Sequence, residues 1–383
     1  MSGTQRRVSR RGENGRLASQ AAAGRATRAD TAAKRDGNHQ RPTLPQDGRA
    51  GNQEKALPHS AHESLPLVAG IFAKRAKTLG AAVQGAVAGI VSGRIAPPRR
   101  STHRSKQLSA VMCDSEPASP LAAIDYRGKN PFLAIRCADG YLTAGEWTAR
   151  VRIEGAQVDG SAWSSSVWTS NAEADYLELC CDLPHGGRIE RGILLGRTDR
   201  FALLYDAVVW PSPATIEIEN RIELADGIAF ESTRENTEAV LRRTAKGRAS
   251  GRSAALARLF PLALPEWRKA DRSGDLRAEN GHLVWSLGGR GQALFLPIWI
   301  DLDRGRSRQR LTWRRLTVGE GLRPVPNEIA VGYRLAVGQK QWLVYRALTA
   351  RGNRTLLGHN LSTELLVARF GSDGEVDPLI EIE

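Results

Sequence analysis

The side chains in this sequence that are best suited to bind a ligand lie in two neighbouring segments. Trp163 and Trp168 flank a serine-rich run that is too polar for a buried strand, so their rings are candidate platforms for stacking sugars. Arg188 and Arg191 open an apolar segment shortly afterwards and supply basic groups for an acidic glycan. These four residues are the predicted carbohydrate-binding residues. The alternative is core packing, because large aromatic rings dominate the cores of β-sandwiches.

Acidic and histidine side chains give weaker evidence for a metal site or a catalytic site. Asp301 and Asp303 would share one face of a strand, as a Ca²⁺ site requires, but the arginines that follow favour salt bridges at a strand end. The histidines lie in the N-terminal region or beside Gly or Asn in predicted turns. The sequence shows neither zinc-type Cys/His spacing nor a glycine-rich phosphate loop nor a nucleophile elbow. It therefore predicts no catalytic residue, no metal site and no cofactor.

The excess positive charge is confined to the N-terminal part of the chain. Residues 1–107 contain 20 Lys and Arg against 6 Asp and Glu, whereas the whole chain contains 55 against 41, so the remainder is neutral. Nucleic acid or another anionic surface is therefore a candidate partner for this tail alone. The tail lacks the interleaved aromatic residues that favour single-stranded nucleic acid, so a solvated tail without a function is the alternative. The candidate phosphate-binding residues are Arg6, Arg7, Arg10, Arg11, Arg99 and Arg100.

Composition also divides the N-terminal part. Residues 1–65 have almost no large apolar side chains and are predicted to be a disordered basic tail. Residues 66–96 are predicted to form a short helix that ends before two prolines, and 97–119 a linker. The best apolar stretch, 79–92, is shorter than the roughly 20 residues of a membrane-spanning helix. No secretory signal is recognised.

The same composition supports a different hypothesis about residues 1–107. Sequence rich in Ala, Arg, Gly, Pro and Gln without aromatic residues is also typical of GC-rich DNA translated in the wrong frame. Met112 is the only methionine after Met1 and lies at the boundary in composition. Translation would then start near Met112, or the true upstream frame would encode more protein.

After residue 120 the pattern is that of β-strands. Apolar residues alternate at period two in 147–153, 215–219 and 310–316, and continuous apolar runs of strand length recur, as in 201–205 and 294–300. Gly, Asp and Asn clusters between them indicate turns. Residues 120–383 are therefore predicted to form an all-β domain, either an antiparallel β-sandwich or several stacked antiparallel sheets.

Residues 174–209 form the most distinctive stretch. They predict three consecutive antiparallel strands, with arginines at the start of the second and the segment Tyr205-Asp-Ala-Val208 at the end of the third. This pattern resembles the C-terminal β-sandwich domain of heparinase II/III-like polysaccharide lyases. In those lyases the catalytic Asn, Tyr and His come largely from a helical toroid that precedes the sandwich. Residues 1–107 are too short and too polar for a toroid, so the resemblance implies a sandwich without its catalytic partner.

Three functions follow as expectations. The first is a non-catalytic β-sandwich that is structural or binds acidic polysaccharide weakly. The second is binding of nucleic acid or an anionic surface through the basic tail. The third is a fragment of a full polysaccharide lyase whose helical domain is encoded elsewhere. The sequence leaves the compartment and the oligomeric state open, because the resemblance suggests export whereas the adjacent Cys180 and Cys181 fit a reducing interior.

Overall fold

Antiparallel β-strands make up almost all of the computed structural model, which describes residues 86–383 except 117, 139, 245–253 and 269–272. The predicted all-β antiparallel fold is confirmed. The predictions for residues 1–85, including those for Arg6, Arg7, Arg10 and Arg11, lie outside the described residues.

The first and largest sheet contains the strands up to residue 301. In chain order they are β1 (Thr102–Arg104), β2 (Ser109–Met112), β3 (Leu121–Asp125), β4 (Phe132–Cys137), β5 (Gly140–Ile153), β6 (Ala156–Val158), β7 (Ser164–Ser170), β8 (Ala174–Asp182), β9 (Arg188–Gly196), β10 (Phe201–Leu224), β11 (Ile228–Ser232), β12 (Ala239–Arg243), β13 (Ala255–Pro261), β14 (Gly274–Glu279) and β15 (His282–Asp301).

The remaining strands form two further sheets. The second sheet has the order β16 (Leu311–Leu316), β19 (Ala330–Val337), β20 (Lys340–Ala347), β23 (Leu365–Phe370) and β24 (Val376–Ile382). The small sheet has the order β18 (Arg323–Pro324), β17 (Gly319–Glu320), β21 (Arg354–Leu356) and β22 (His359–Leu361). The α-helix in the described part is α1 (Ala86–Val91), and short 3-10 turns span Ser105–Gln107, Pro184–Gly186 and Arg304–Arg306.

The first sheet has two arms that share its longest strands, β10 and β15. The first arm also contains β1–β6 and β14, and the second arm also contains β7–β9 and β11–β13. The register of β10 against β15 shifts between Val209 and Ala214. Residues 201–209 of β10 pair with β9 in the second arm, whereas residues 216–224 pair with β5 in the first arm. Apolar side chains from both halves of β10 join one core, so the arms face each other across it.

The second arm is buried on both faces. Along β10, Leu204 and Val208 enter the core between the arms, while Leu203 and Tyr205 enter a second core against the second sheet. A strand covered on both sides needs apolar residues at every position, which explains the continuous apolar run in the sequence. Further apolar contacts join the second sheet to the small sheet, and α1 to the outer face of β2–β4.

The structure has two strands within residues 97–119, the segment predicted as a linker. Residues in this range form β1 and β2, and β2 pairs with β3 in the first arm. Val111 and Met112 are buried, and α1 packs against Val111. The folded unit therefore includes residues that the drop in charge and aromatic content had placed outside it.

The adjacent cysteines follow the alternation of a strand. Cys181 faces the core between the arms, whereas Cys180 lies on the other face of β8, opposite Glu190 of β9. No helix within the described part of the chain has the length and apolar content needed to cross a bilayer.

Candidate functional site

Arg191, one of the predicted binding residues, is fully buried between the two arms. Its guanidinium donates two hydrogen bonds of 2.8 Å to the carboxylate of Asp206 and one of 2.7 Å to the carbonyl of Trp147. Complete burial raises the pKa of Asp206, and the charge of Arg191 opposes that shift. A buried charge is tolerated where a well-placed opposite charge satisfies it, so this pair is a structural element of the core.

Trp163 completes the same cluster. Its indole ring is 7% exposed and lies 4.5 Å from the Arg191 guanidinium carbon, and the Trp147 ring lies 4.0 Å from that carbon. The indole nitrogen of Trp163 donates to the carbonyl of Lys129 at 3.0 Å. The structure therefore brings two of the predicted binding residues together, but as a guanidinium packed against two aromatic rings inside the protein.

Arg188 lies on the other face of β9, at the edge of a buried polar cluster. Its side chain is 41% exposed and donates a hydrogen bond of 2.7 Å to Glu190. Glu190 also pairs with the fully buried Arg346 of β20, which contacts Glu178 at 2.9 Å. The ion pairs of Arg346 thus join the second sheet to the second arm, and Arg188 pairs with Glu190 at the exposed end of the cluster.

Two tyrosines extend this cluster inward. The hydroxyls of Tyr176 and Tyr205 are 2.6 Å apart, and both donate to Glu178, at 2.7 and 3.0 Å. Burial raises the pKa of both tyrosines well above the ordinary value, so they are neutral donors. Gly192 leaves room for the Tyr205 ring, since a Cβ there would lie 2.1 Å from it. The cluster is consistent with a fixed inter-sheet contact.

Trp168 lies apart from the other three predicted residues. It is half-buried on β7, the edge strand of the second arm, and stacks on His103 of β1 with ring centroids 5.3 Å apart. His103 also shares a hydrogen bond of 2.8 Å with the Tyr126 hydroxyl. Partial burial lowers the pKa of His103 and favours its neutral form. These aromatic rings close one open edge between the arms.

The two carboxylates at the end of β15 both form ion pairs with one arginine. Arg306 donates to Asp301 with a shortest distance of 2.5 Å and lies 3.3 Å from Asp303. The salt-bridged interpretation of these carboxylates is therefore the correct one. Among the described residues, no group of three or more His, Cys, Asp or Glu side chains is arranged to hold a metal ion.

Sequence reasoning missed a cluster on the face of the second sheet that the small sheet covers in part. We call this cluster the arginine face and define it as Arg314, Arg334, Gln341 and Phe370. Arg314 of β16 is the direct cross-strand partner of Arg334 of β19. The Arg334 side chain donates to the Gln341 amide oxygen at 2.8 Å, and its guanidinium carbon lies 5.2 Å from the centre of the Phe370 ring. Arg314 is exposed and the other three are half-buried.

The arginine face carries positive charge that the described protein does not neutralise. No described carboxylate lies within ion-pair distance of Arg314 or Arg334. By contrast, Arg150 and Arg152 on the open face of the first arm lie 3.7 Å from Glu219 and Glu217. Two adjacent guanidinium groups beside an amide and an aromatic ring can bind carboxylate or sulfate groups on a ring-shaped ligand.

Part of this cluster was visible in the sequence. The alternation in 310–316 directs Trp313 inward, so Arg314 must point outward. The partnership with Arg334 depends on the register between β16 and β19, which a single sequence does not reveal.

Trp267 was also missed. Its side chain is 60% exposed, and its backbone forms a bridge with Asn236. The amide of Arg268 donates to the Glu235 carbonyl at 2.8 Å, so the segment is anchored on its neighbour. The sequence signal was the position of this tryptophan among Pro, Glu, Arg and Lys, which is unlike that of a core residue.

The candidate nucleic-acid residues are only partly described. Arg99 and Arg100 are exposed, between α1 and β1. The other four predicted residues of the tail lie outside the described range.

Comparisons with known proteins concern the fold. No protein-family model matches the chain, and no curated protein matches its sequence. The heparan sulfate lyase HepC from Pedobacter heparinus aligns over 75% of this chain and 48% of its own, with a TM-score of 0.46 and 12% identity. The heparinase III BT4657 gene product aligns over 74% and 47%, with a TM-score of 0.44 and 8% identity. The chain thus spans about half the length of these lyases, and the similarity assigns no role to any residue.

Proposed function

We propose that the described β-sandwich is a non-catalytic domain that binds acidic polysaccharide weakly through the arginine face. The observation that carries this proposal is the cross-strand pair of Arg314 and Arg334, which has no described carboxylate beside it. A planar guanidinium matches the two oxygens of a uronate carboxylate or a sulfate group. Such groups would supply the negative charge that this face of the protein lacks.

The shape of the surface supports a polymer of modest affinity. The arginine face lies beside the small sheet, with Arg314 exposed and the Phe370 ring half-buried, whereas sites for small molecules are usually concave and enclose the ligand. Residues 108–383 have no net charge. Attraction to a polyanion would therefore be local, which distinguishes this site from the basic tail.

The test is a binding titration of the full chain with heparan sulfate and with polygalacturonate, at several salt concentrations, with a neutral glucan as the reference. The double variant Arg314→Gln/Arg334→Gln removes both charges from the arginine face. The matched control Arg150→Gln/Arg152→Gln removes two exposed arginines from the first arm. It changes the net charge by the same amount as the first double variant and leaves the tail unaltered.

We expect the first double variant to bind acidic polysaccharide at least about tenfold more weakly than the control, because two charge-assisted contacts are lost. Equal binding by both double variants would refute the proposal, since the remaining attraction would then come from net charge or from the tail. Circular dichroism spectra of the variants establish that each is folded.

A second candidate function is binding of nucleic acid through the tail, which the net charge of +14 within residues 1–107 favours. Deleting residues 1–85 together with Arg99→Gln and Arg100→Gln tests it, because this variant removes every candidate phosphate-binding residue and retains α1, β1 and β2. We expect DNA binding to be lost on deletion and to weaken steeply between low and moderate salt in the full chain. DNA binding that survives the deletion would contradict this function.

A further inference from the structure

A hairpin of the small sheet borders the arginine face. The hairpin joins β21 to β22, and Leu356 and His359 are direct cross-strand partners at its end, so their side chains project to the same side. Leu356 lies over Gly332 of β19, because a Cβ on that glycine would lie 2.6 Å from the leucine side chain. Gly332 precedes Arg334 by two positions and therefore shares its face of β19. The hairpin thus lies beside the arginine pair.

The side chain of His359 reaches the arginine face. Its imidazole lies edge-on to the Phe370 ring, with ring centroids 6.5 Å apart and an interplanar angle of 90°. The guanidinium carbon of Arg334 lies 5.2 Å from the centre of the same ring. One aromatic ring therefore contacts both an arginine of the second sheet and a histidine of the small sheet.

The imidazole of His359 is held in place. Its Nε2 lies 3.0 Å from the carbonyl of Gly374, which can only accept, so Nε2 carries the proton of this hydrogen bond. The turn before it consists of Leu357 and Gly358, both with left-handed backbone angles, as the commonest two-residue hairpin turn requires. In the neutral ring Nδ1 is then an acceptor, and no described residue forms a hydrogen bond with it.

This acceptor differs in kind from the groups of the arginine face. Arg314 and Arg334 can only donate. The amide oxygen of Gln341 already accepts from two nitrogens of Arg334, which leaves the amino group, another donor. Donors suit the oxygens of a carboxylate or a sulfate group, whereas the hydroxyl groups of a sugar also need acceptors. His359 supplies an acceptor at the border of a site that otherwise donates.

We propose that His359 is a further contact residue of this site and that it selects hydroxylated anions, such as uronate sugars, over anions without hydroxyl groups. The proposal rests on the proposed function and adds a specificity to it. The arginines would hold the acidic group of the ligand. A hydroxyl group of the same or the adjoining sugar unit would donate to Nδ1 of His359, on the other side of the Phe370 ring.

The experiment compares two polymers of carboxylates, polygalacturonate, which carries hydroxyl groups, and polyacrylate, which carries none. Both are titrated against the full chain at about pH 8, where an ordinary imidazole is neutral, and at moderate salt, so that attraction to the tail is screened. The variant His359→Phe retains a ring beside Phe370 but has no acceptor. The variant His359→Asn has an amide oxygen that can accept.

His282→Phe is the matched control. His282 is also half-buried at a hairpin turn, and its Nδ1 lies 3.0 Å from the carbonyl of Asn280. It begins β15 of the first sheet, so this variant loses a similar contact with the backbone but leaves the second sheet unaltered. Circular dichroism and urea denaturation establish that each variant is folded.

We expect His359→Phe to weaken the binding of polygalacturonate by about 3- to 10-fold, which corresponds to one lost hydrogen bond, and to leave the binding of polyacrylate unchanged. His359→Asn should recover part of the loss. His282→Phe should behave as the unaltered protein with both polymers.

The outcomes separate the two proposals. If the unaltered protein binds neither polymer, the proposed function fails. If it binds polygalacturonate and His359→Phe matches it with both polymers, the role of His359 is refuted while the arginine face stands. Equal weakening of both polymers by His359→Phe, or equal weakening by His282→Phe, refutes that role as well, because the effect would not depend on hydroxyl groups. Binding of polyacrylate alone would overturn the selection of hydroxylated anions.

Discussion

Arg314 lies directly opposite Arg334 across the antiparallel pair β16–β19, on the face of the second sheet that the small sheet covers in part. Like charges directly opposite each other on a sheet are destabilising. No described carboxylate relieves this repulsion. The proposed role in binding would account for a local arrangement that costs stability.

This arrangement predicts opposite effects on stability and on binding. Arg314→Gln should raise the free energy of unfolding by about 0.2–1 kcal/mol, because it removes the repulsion, while it weakens binding to acidic polysaccharide. Urea denaturation and a binding titration on the same preparation measure both. A loss of stability greater than about 1 kcal/mol would mean that Arg314 has a structural role instead.

Arg191 should behave in the opposite way. Arg191→Met leaves the Asp206 carboxylate buried without its partner, so we expect a loss of about 3–5 kcal/mol in the free energy of unfolding. Equilibrium urea denaturation measures this loss. Polysaccharide binding by the folded fraction should be unchanged, because the side chain is fully buried.

The double variant Arg191→Met/Asp206→Asn is the control for that effect. Removing both charges should recover part of the lost stability, since the cost arises from the unpaired carboxylate. If the double variant is less stable than Arg191→Met alone, the packing of the guanidinium between Trp147 and Trp163 dominates.

Asp199 should make stability depend on acid pH. Burial raises its pKa, but hydrogen bonds from Lys340 at 2.9 Å, Arg369 at 2.6 Å and Trp342 at 3.2 Å outweigh burial and hold the pKa below its ordinary value of 3.8. The folded state therefore binds this proton less readily than the unfolded state. The stabilisation is fully present above pH 3.8 and is lost as the pH falls through the lower pKa of the folded protein.

The check is the pH dependence of urea unfolding for Asp199→Asn. We expect a loss of about 2–3 kcal/mol at neutral pH that shrinks in acid, because the unaltered protein loses the same interactions there. Asp159→Asn is the matched control, since Asp159 is exposed and, among the described residues, forms its ion pair with the exposed Lys129. Parallel pH profiles for Asp199→Asn and the unaltered protein would contradict the prediction.

Fragments with different N-termini test where the folded unit begins. A fragment that starts at Met112 lacks α1, β1 and most of β2, including the buried Val87, Ile90 and Val111. Burying each such side chain contributes about 1.5–3 kcal/mol, so this fragment should be at least about 4 kcal/mol less stable than one that starts at Ala86. Urea denaturation of both fragments provides the comparison.

Equal stability of the two fragments would support translation from Met112. The intact mass of the natively expressed protein tests the same hypothesis independently, since a product near 41.7 kDa retains the N-terminal residues.

Much of the fold could be predicted from local pattern. The apolar run at 201–205 and the alternation at 215–219 predict strands, and both lie on one strand, β10. Its first half is buried on both faces, and its second half alternates between buried and partly exposed positions. Residues 97–119 were harder, because β1 and β2 are short and lie beside a basic segment, and their place in the sheet depends on pairing with β3.

The candidate site could be predicted less well. Judged from the sequence alone, Trp163, Arg191 and Arg314 are all chemically suited to bind a glycan. In the structure, Trp163 and Arg191 lie in the core, whereas Arg314 is exposed. A strand pattern specifies which residues share a face. It does not specify whether another layer covers that face.

The sequence by itself therefore determined the strands, the separation of charge between tail and body, and the alternation that sends neighbouring side chains to opposite faces. The tertiary structure alone decided which faces meet solvent, because the stacking of the second sheet on the second arm depends on contacts between residues far apart in the chain. Arg191 and Arg314 differ for that reason: one guanidinium is enclosed by two arms of a bent sheet, and the other is exposed on a face that the small sheet covers only in part.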